Sequence, residues 1–190
     1  MLVRHATTDA VRRAAFPVDE PIDDAGRAAA ASLAGRLGRG EALCSPAQRA
    51  RATAAAAGLD AAVEPALGEC DFGAWAGRTL AEVHAADPDG ASAWMTDPDA
   101  RPHGGESLTA LLGRVAGWLD GQAARDGRAI AVTHAGVVKA AVVHALGAPP
   151  AAFWRIDVTP LALTELHAHD GRWTVARVNA AVVADPASDE

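Results

Sequence analysis

Short apolar runs that alternate with helical segments predict an α/β fold: a three-layer α/β/α sandwich with a mostly parallel central sheet and an antiparallel C-terminal hairpin at its edge. Three observations carry that prediction. Met1-Leu2-Val3, Glu41 to Cys44 and Arg128 to Thr133 have the length and character of strands, and a turn and a helical stretch follow the last two. Leu108, Leu111, Leu112, Val115, Trp118 and Leu119 recur at helical spacing, so a long amphipathic helix precedes the third strand. Beyond residue 150 the pattern changes to alternating runs, with Asp170-Gly171 as a hairpin turn between the last two.

In chain order, Met1-Leu2-Val3 forms a buried strand that delivers Arg4 and His5 to its C-terminal end. It starts at residue 1 without a lead-in, so a few more residues are expected ahead of it to lengthen the strand. Asp9 to Pro21, with Pro17, Pro21 and several acids, is expected to be a loop over the sheet edge. Asp23 or Asp24 caps a helix to about Leu37, stopped by Gly38 and Gly40. After the strand ending at Cys44, Ser45 is the expected N-cap and Pro46 the first residue of a helix that runs to Ala57 and closes at Gly58. Ala62-Val63-Glu64 is a third strand. Leu67 to Gly77 breaks all periodicity with glycines and with Phe72 and Trp75, the mark of a functional loop. Short helices from Thr79 and Gly90 follow, and Gly105-Glu106-Ser107 opens the long helix. Arg128 to Thr133 is a buried strand, His134-Ala135-Gly136 a turn, and Val137 to Leu146 a helix. Phe153 to Asp157, Leu161 to His167 and Trp173 to Val178 are expected strands. One domain, residues 1–184, accounts for the pattern, with a frayed tail at 185–190.

Half of the 190 residues are hydrophobic and 22% are charged, a globular composition rather than a disordered one. A net charge of −7 argues against a nucleic-acid partner or an acidic membrane surface, although a few arginines can still build an anion pocket. Cys44 and Cys70 form no disulfide framework, and free thiols suit a reducing compartment. No apolar run approaches the ~20 residues of a membrane span. A cytoplasmic protein is expected; its oligomeric state is not legible.

Residues suited to phosphate chemistry stand at the ends of these strands. His5 and His134 each follow an apolar strand and precede a small-residue turn, and in a parallel sheet neighbouring strands bring both to one edge, where α/β folds bind ligands. A histidine there has three readings: nucleophile, metal ligand or packed bystander. The turn at His134-Ala135-Gly136 exposes backbone N–H groups at a helix start, suited to an anion, and Arg4 and Arg49 can grip phosphate oxygens in forked geometry. His167 and His169 share a strand face, but no cysteine or carboxylate cluster completes a metal site, and surface histidines are the expectation there.

Arg4-His5-Ala6-Thr7-Thr8 resembles the Arg-His-Gly motif of the histidine phosphatase superfamily, the phosphoglycerate-mutase-like proteins. Cys44-Ser45-Pro46-Ala47-Gln48-Arg49-Ala50-Arg51-Ala52-Thr53-Ala54 is similar to that family's Ser-Pro-Leu-x-Arg-Ala-x-Gln-Thr-Ala segment, and Leu67 to Gly77 to its Leu-x-Glu-x-x-Phe-Gly-x-Trp-Glu-Gly segment. Gly105-Glu106-Ser107 and Val132 to Val137 match two further stretches, in the right order. The resemblance implies His5 as a nucleophile forming a phosphohistidine, with its other ring nitrogen fixed by a backbone carbonyl. It implies Arg4, Arg49 and His134 as holders of the phosphoryl oxygens, and Glu69 as the general acid, with Asp71 close by as a competitor. Thr8 and the backbone at Ala135 complete the expected phosphate contacts, and Glu106 either frames the site or merely opens its helix. No metal or other cofactor is expected.

Departures from the family pattern are Ala6 for glycine, Thr7 for Glu or Gln, Val11 for Asn and Ala76 for Glu. None removes an assigned catalytic group. The expected activity is hydrolysis of a small phosphorylated metabolite, with two alternatives: mutase-type phosphotransfer, or a catalytically weak phospho-ligand-binding regulator. Phe16, Trp75, Trp94 and Trp154 either line the leaving-group side or, the plainer expectation, pack in the core or a lid.

Overall fold

The computed structural model describes residues 1–182. Six strands, β1 (Leu2–Arg4), β2 (Glu41–Cys44), β3 (Ala62–Val63), β4 (Ala129–Thr133), β5 (Leu163–His169) and β6 (Arg172–Ala180), form one sheet in the order β3-β2-β4-β1-β5-β6. The first four in that order run parallel, and β5 pairs antiparallel with both β1 and β6. The hairpin turn falls at Asp170-Gly171, both with positive φ, as the Asp-Gly pair predicts. The tail expected at 185–190 lies outside the described residues.

Alternation along the strands divides the core between two faces. Leu2 and Ala131 pack with Leu111, Val115, Val137 and Val138 of α6 (Leu108–Ala123) and α7 (Ala135–Ala145). Their neighbours Val3 and Ile130 point the other way, onto Leu33, Leu37 and Ala57 near α2 (Asp24–Ala31) and α3 (Gln48–Ala56). Both faces of the parallel strands are therefore covered, which is why these strands are apolar throughout rather than alternating.

Four local expectations need correction. The segment from Asp9 to Pro21 is not all loop: Thr8 accepts the N–H of Val11 and starts the short helix α1 (Asp9–Arg12). Helix α2 stops at Ala31 rather than near Leu37, where Ser32 bonds back to the carbonyl of Ala29 and Gly35 takes positive φ. Helix α3 starts two residues later than Ser45-Pro46 implies, with Ala47 as its N-cap. Phe153 to Asp157 is not a strand: Pro149 and Pro150 start a 3-10 turn over Pro150–Arg155, since proline favours a helical first turn over a ladder. Between these, α4 (Leu80–Ala86) begins in a Thr79–Glu82 capping box, and α5 (Pro88–Thr96) on Asp87.

Candidate active site

Register decides which residues meet. Arg4 pairs with Thr133 across β1 and β4, so His5 and His134 leave neighbouring parallel strands side by side. Their rings stand 5.1 Å apart at 65°. Cys44 pairs with Val132, which brings Ser45 to the same edge, and the N–H groups of His5 and Ser45 bond to Thr133 and Val132 there.

His5 is buried and held at both ring nitrogens. Its Nδ1 lies 2.7 Å from the carbonyl of Ala6, which can only accept, so Nδ1 carries the proton. Its Nε2 lies 3.3 Å from Nε of Arg49, which can only donate. The ring is thereby set as the neutral Nδ1–H tautomer with a lone pair on Nε2. Burial, assisted by the charges of Arg49 and Arg4, pushes the His5 pKa down to about 3 against the pull of the Ala6 carbonyl. Thr53 fixes the same turn by accepting the N–H of Ala6 and donating to the carbonyl of Arg49.

His134 is fully buried and held well below its usual pKa, first by burial and then by Arg49, His5 and Arg4. Its Nε2 is 2.6 Å from Oγ of Ser45, which also accepts the N–H of Ala47. The Ser45 oxygen already accepts from Ala47, and with its hydroxyl proton donated to Nε2 the His134 proton sits on Nδ1. Among the described residues, His134 Nδ1 and Arg4 Nε are buried and have no protein partner. Arg4 donates to the carbonyl of Val158 through its other end, and Arg49 donates to that of Val18. Two guanidinium groups and a neutral N–H thus surround the neutral imidazole of His5, a donor set suited to an anion.

Glu69 lies beyond this group, in the aperiodic loop. One carboxylate oxygen accepts the N–H of Cys70 and the other that of Gly136, in the first turn of α7. A Cβ on Gly136 would stand 2.2 Å from Glu69 Oε1, so the glycine is what admits the carboxylate. Asp71, the competing acid, is exposed and accepts the N–H of Gly73. Ala135 opens α7 directly after its N-cap His134.

Two expected participants stand apart. Thr8 caps α1 and donates to Glu20 at 3.1 Å, a link that runs on to Arg49, 4.0 Å from Glu20. Glu106 is engaged by Arg114 at 3.0 and 2.8 Å, and Arg114 in turn holds the carbonyls of Ala66 and Gly68. Glu106 therefore acts on the approach to Glu69 rather than touching the histidines. Sequence reasoning missed Ser45, Thr53, Glu20 and Arg114 as participants. Ser45 and Thr53 carried a signal, since both fall in the motif around Arg49. His167 and His169 lie at the exposed C-terminal end of β5 beside Glu165 and Asp170, and no cluster of metal-ligating side chains occurs among the described residues. Cys44 and Cys70 are buried and unpaired, and burial pushes both thiols up.

This arrangement defines a class: an α/β protein with paired histidines and arginines gathered at the C-terminal edge of a parallel sheet. The chain belongs to the histidine phosphatase superfamily (branch 1), whose family model matches residues 1–181. It is 36% identical over 160 residues to the bifunctional protein Rv2228c of Mycobacterium tuberculosis, covering 80% of this chain and 44% of that one. The chain thus spans under half the length of that relative. It is 31% identical over 169 residues to the glucosyl-3-phosphoglycerate phosphatase of Mycolicibacterium vanbaalenii, covering 78% and 74% of the two chains. Among solved structures, the mycobacterial glucosyl-3-phosphoglycerate phosphatase Rv2419c with VO3 superposes with a TM-score of 0.83 at 27% identity, covering 95% of this chain and 98% of that one.

Proposed function

We propose that this chain is a phosphomonoesterase that hydrolyses a small phosphorylated metabolite through a phosphohistidine on His5. The observation that carries the reading is the tautomer of His5: a carbonyl acceptor on one ring nitrogen and a guanidinium donor on the other leave a neutral ring with its lone pair turned towards the arginine. On binding, phosphate oxygens take the guanidinium groups of Arg4 and Arg49, and Nδ1–H of His134 gains an acceptor. Nε2 of His5 attacks phosphorus, the bond to the leaving oxygen breaks, and Glu69 gives that oxygen its proton. In the second step the Glu69 carboxylate takes a proton from water, whose oxygen attacks phosphorus and breaks the P–N bond. Phosphate leaves and His5 is restored. The phosphatase names of two relatives, glucosyl-3-phosphoglycerate phosphatase and phosphoserine phosphatase, favour hydrolysis over mutase transfer.

No helix among the described residues is long and apolar enough to cross a membrane, and the two unpaired thiols support a cytoplasmic setting as part of the proposal. The test is release of inorganic phosphate from p-nitrophenyl phosphate and a metabolite panel, with chelator present and His5→Ala as control. Release that persists in chelator and vanishes in the variant is the expected result. Activity in His5→Ala within about tenfold of the parent would overturn the nucleophile assignment. Transfer of phosphate between hydroxyls without release would convert the reading to a mutase, and binding without either to a regulator.

A further inference from the structure

A cavity of about 170 Å³ adjoins the site on the side of Glu69, and it is unlike the phosphate cluster in composition. Phe72, Trp94, Phe153 and Trp154 wall it with aromatic faces, Trp94 and Trp154 meeting edge to face at 4.7 Å. Trp94 and Trp154 line this cavity, whereas Phe16 and Trp75 are buried with Val83 in a small core against which Phe72 and Trp94 pack from the cavity side. The charged residues of its lining are few: Glu69 and Lys139.

Lys139 sits one helical turn beyond Ala135 and Gly136 on the same face of α7, about 5 Å along the axis from the N–H that holds Glu69. Its ammonium lies 5.3 Å over the ring of Phe153 and, among the described residues, no carboxylate oxygen comes within 4.0 Å of it. Its neighbours agree with this geometry: burial lowers the Lys139 pKa, while Asp157 and Glu69 favour its charge from a distance and Arg4 opposes it. A half-buried ammonium in an apolar pocket, without a paired carboxylate, attracts an incoming anion more strongly than one in water does.

We propose that Lys139 is a specificity-determining residue that binds an anionic group on the leaving alcohol, a carboxylate or a second phosphate, two or three carbons from the ester oxygen. This rests on the phosphomonoesterase reading, in which Glu69 touches the leaving oxygen at the mouth of the cavity. The aromatic walls exclude water from the pair, and the single turn of α7 sets the spacing between the two ends of the leaving group.

Three probes test it: the phosphate ester of β-hydroxypropanoate, its primary amide, and the bisphosphate ester of propanediol. The parent protein is expected to favour the carboxylate over the amide by about tenfold or more in kcat/KM, expressed mainly in KM. That ratio should fall to below about threefold in Lys139→Met, invert in Lys139→Glu and survive in Lys139→Arg. Preference for the bisphosphate over the carboxylate, with the same dependence on Lys139, would support the site with phosphate as its anion. Equal turnover of carboxylate and amide by the parent would overturn the proposal and leave the phosphatase intact. If the parent hydrolyses no ester, phenyl phosphate included, the phosphatase reading falls. Calorimetric binding of the carboxylate and amide esters then decides the subsite: tighter carboxylate binding supports it, and equal affinity overturns it.

Discussion

Gly136→Ala separates the chemistry of this site from its stability. The new Cβ would stand 2.2 Å from Oε1 and 3.1 Å from Cδ of Glu69, where ordinary van der Waals contact begins at 3.4 Å. The carboxylate must retreat by roughly 1 Å, and a misplacement of that size costs a catalytic group on the order of 10²-fold. The fold has little reason to suffer, because the crowded atoms are the end of a flexible side chain. Alanine in a helix gains about 0.5–1 kcal/mol over glycine, which offsets loss of the 3.3 Å bond from the Gly136 N–H to Glu69. We therefore expect kcat/KM for an alkyl phosphate to fall about 100-fold, with a much smaller fall for p-nitrophenyl phosphate, whose leaving group needs little protonation. The melting temperature should move by no more than about 4 °C. Glu69→Gln is the comparison and should show the same contrast between the two leaving groups. Alkyl phosphate turnover in Gly136→Ala within about threefold of the parent would refute the assignment of Glu69 as the proton donor.

Two more outcomes follow from the buried histidines and their partners. His5 and His134 stay neutral in the folded chain below the pH at which free histidine charges, near 6.5, so the unfolded state binds protons that the folded state does not. Their joint contribution is complete above about pH 7 and is lost as pH falls through about 6.5 towards the folded values, so stability at about pH 5.5 lies below that at about pH 7.5. Urea unfolding at those two pH values checks it, and an undiminished pH dependence in His5→Gln would contradict the assignment. Ser45→Ala removes the 2.6 Å partner of His134, and should raise the inhibition constant of inorganic phosphate about tenfold while costing about 1–3 kcal/mol of stability. Unchanged phosphate inhibition would show that Ser45 does not set the His134 tautomer.

Much of this protein was legible in its residues because the signals were local. Apolar runs punctuated by glycine, proline and capping residues gave the parallel strands and the long helix, since burial on both sheet faces demands such runs wherever they occur. Arg4, His5 and His134 at strand ends, and Arg49 in the first turn of the helix after a strand, stood out for a related reason: a strand end can be recognised without knowing its neighbours. Where local signals misled, a competing local bond or a tertiary demand won. Phe153 to Asp157 alternates like a strand, yet two prolines turned it into a 3-10 segment that carries Phe153 and Trp154 to the cavity. Ser45 has the chemistry of an N-cap, yet its hydroxyl is taken by His134 from a strand more than eighty positions away.

The sequence by itself determined the class of fold and singled out the side chains proposed to handle phosphate. Tertiary structure alone decided how they meet: the β1–β4 register that sets two histidines side by side, the donor and acceptor that select the tautomer of His5, and the bond that seats Glu69 on α7. It also singled out Lys139, which in the sequence is one lysine in an apolar helix and in the fold is the cation of an aromatic pocket. The physical reason is the same each time. Composition and periodicity report what a residue prefers, whereas tautomer, pairing and pocket membership are properties of distances between residues far apart in the chain, which exist only once the sheet has fixed its register.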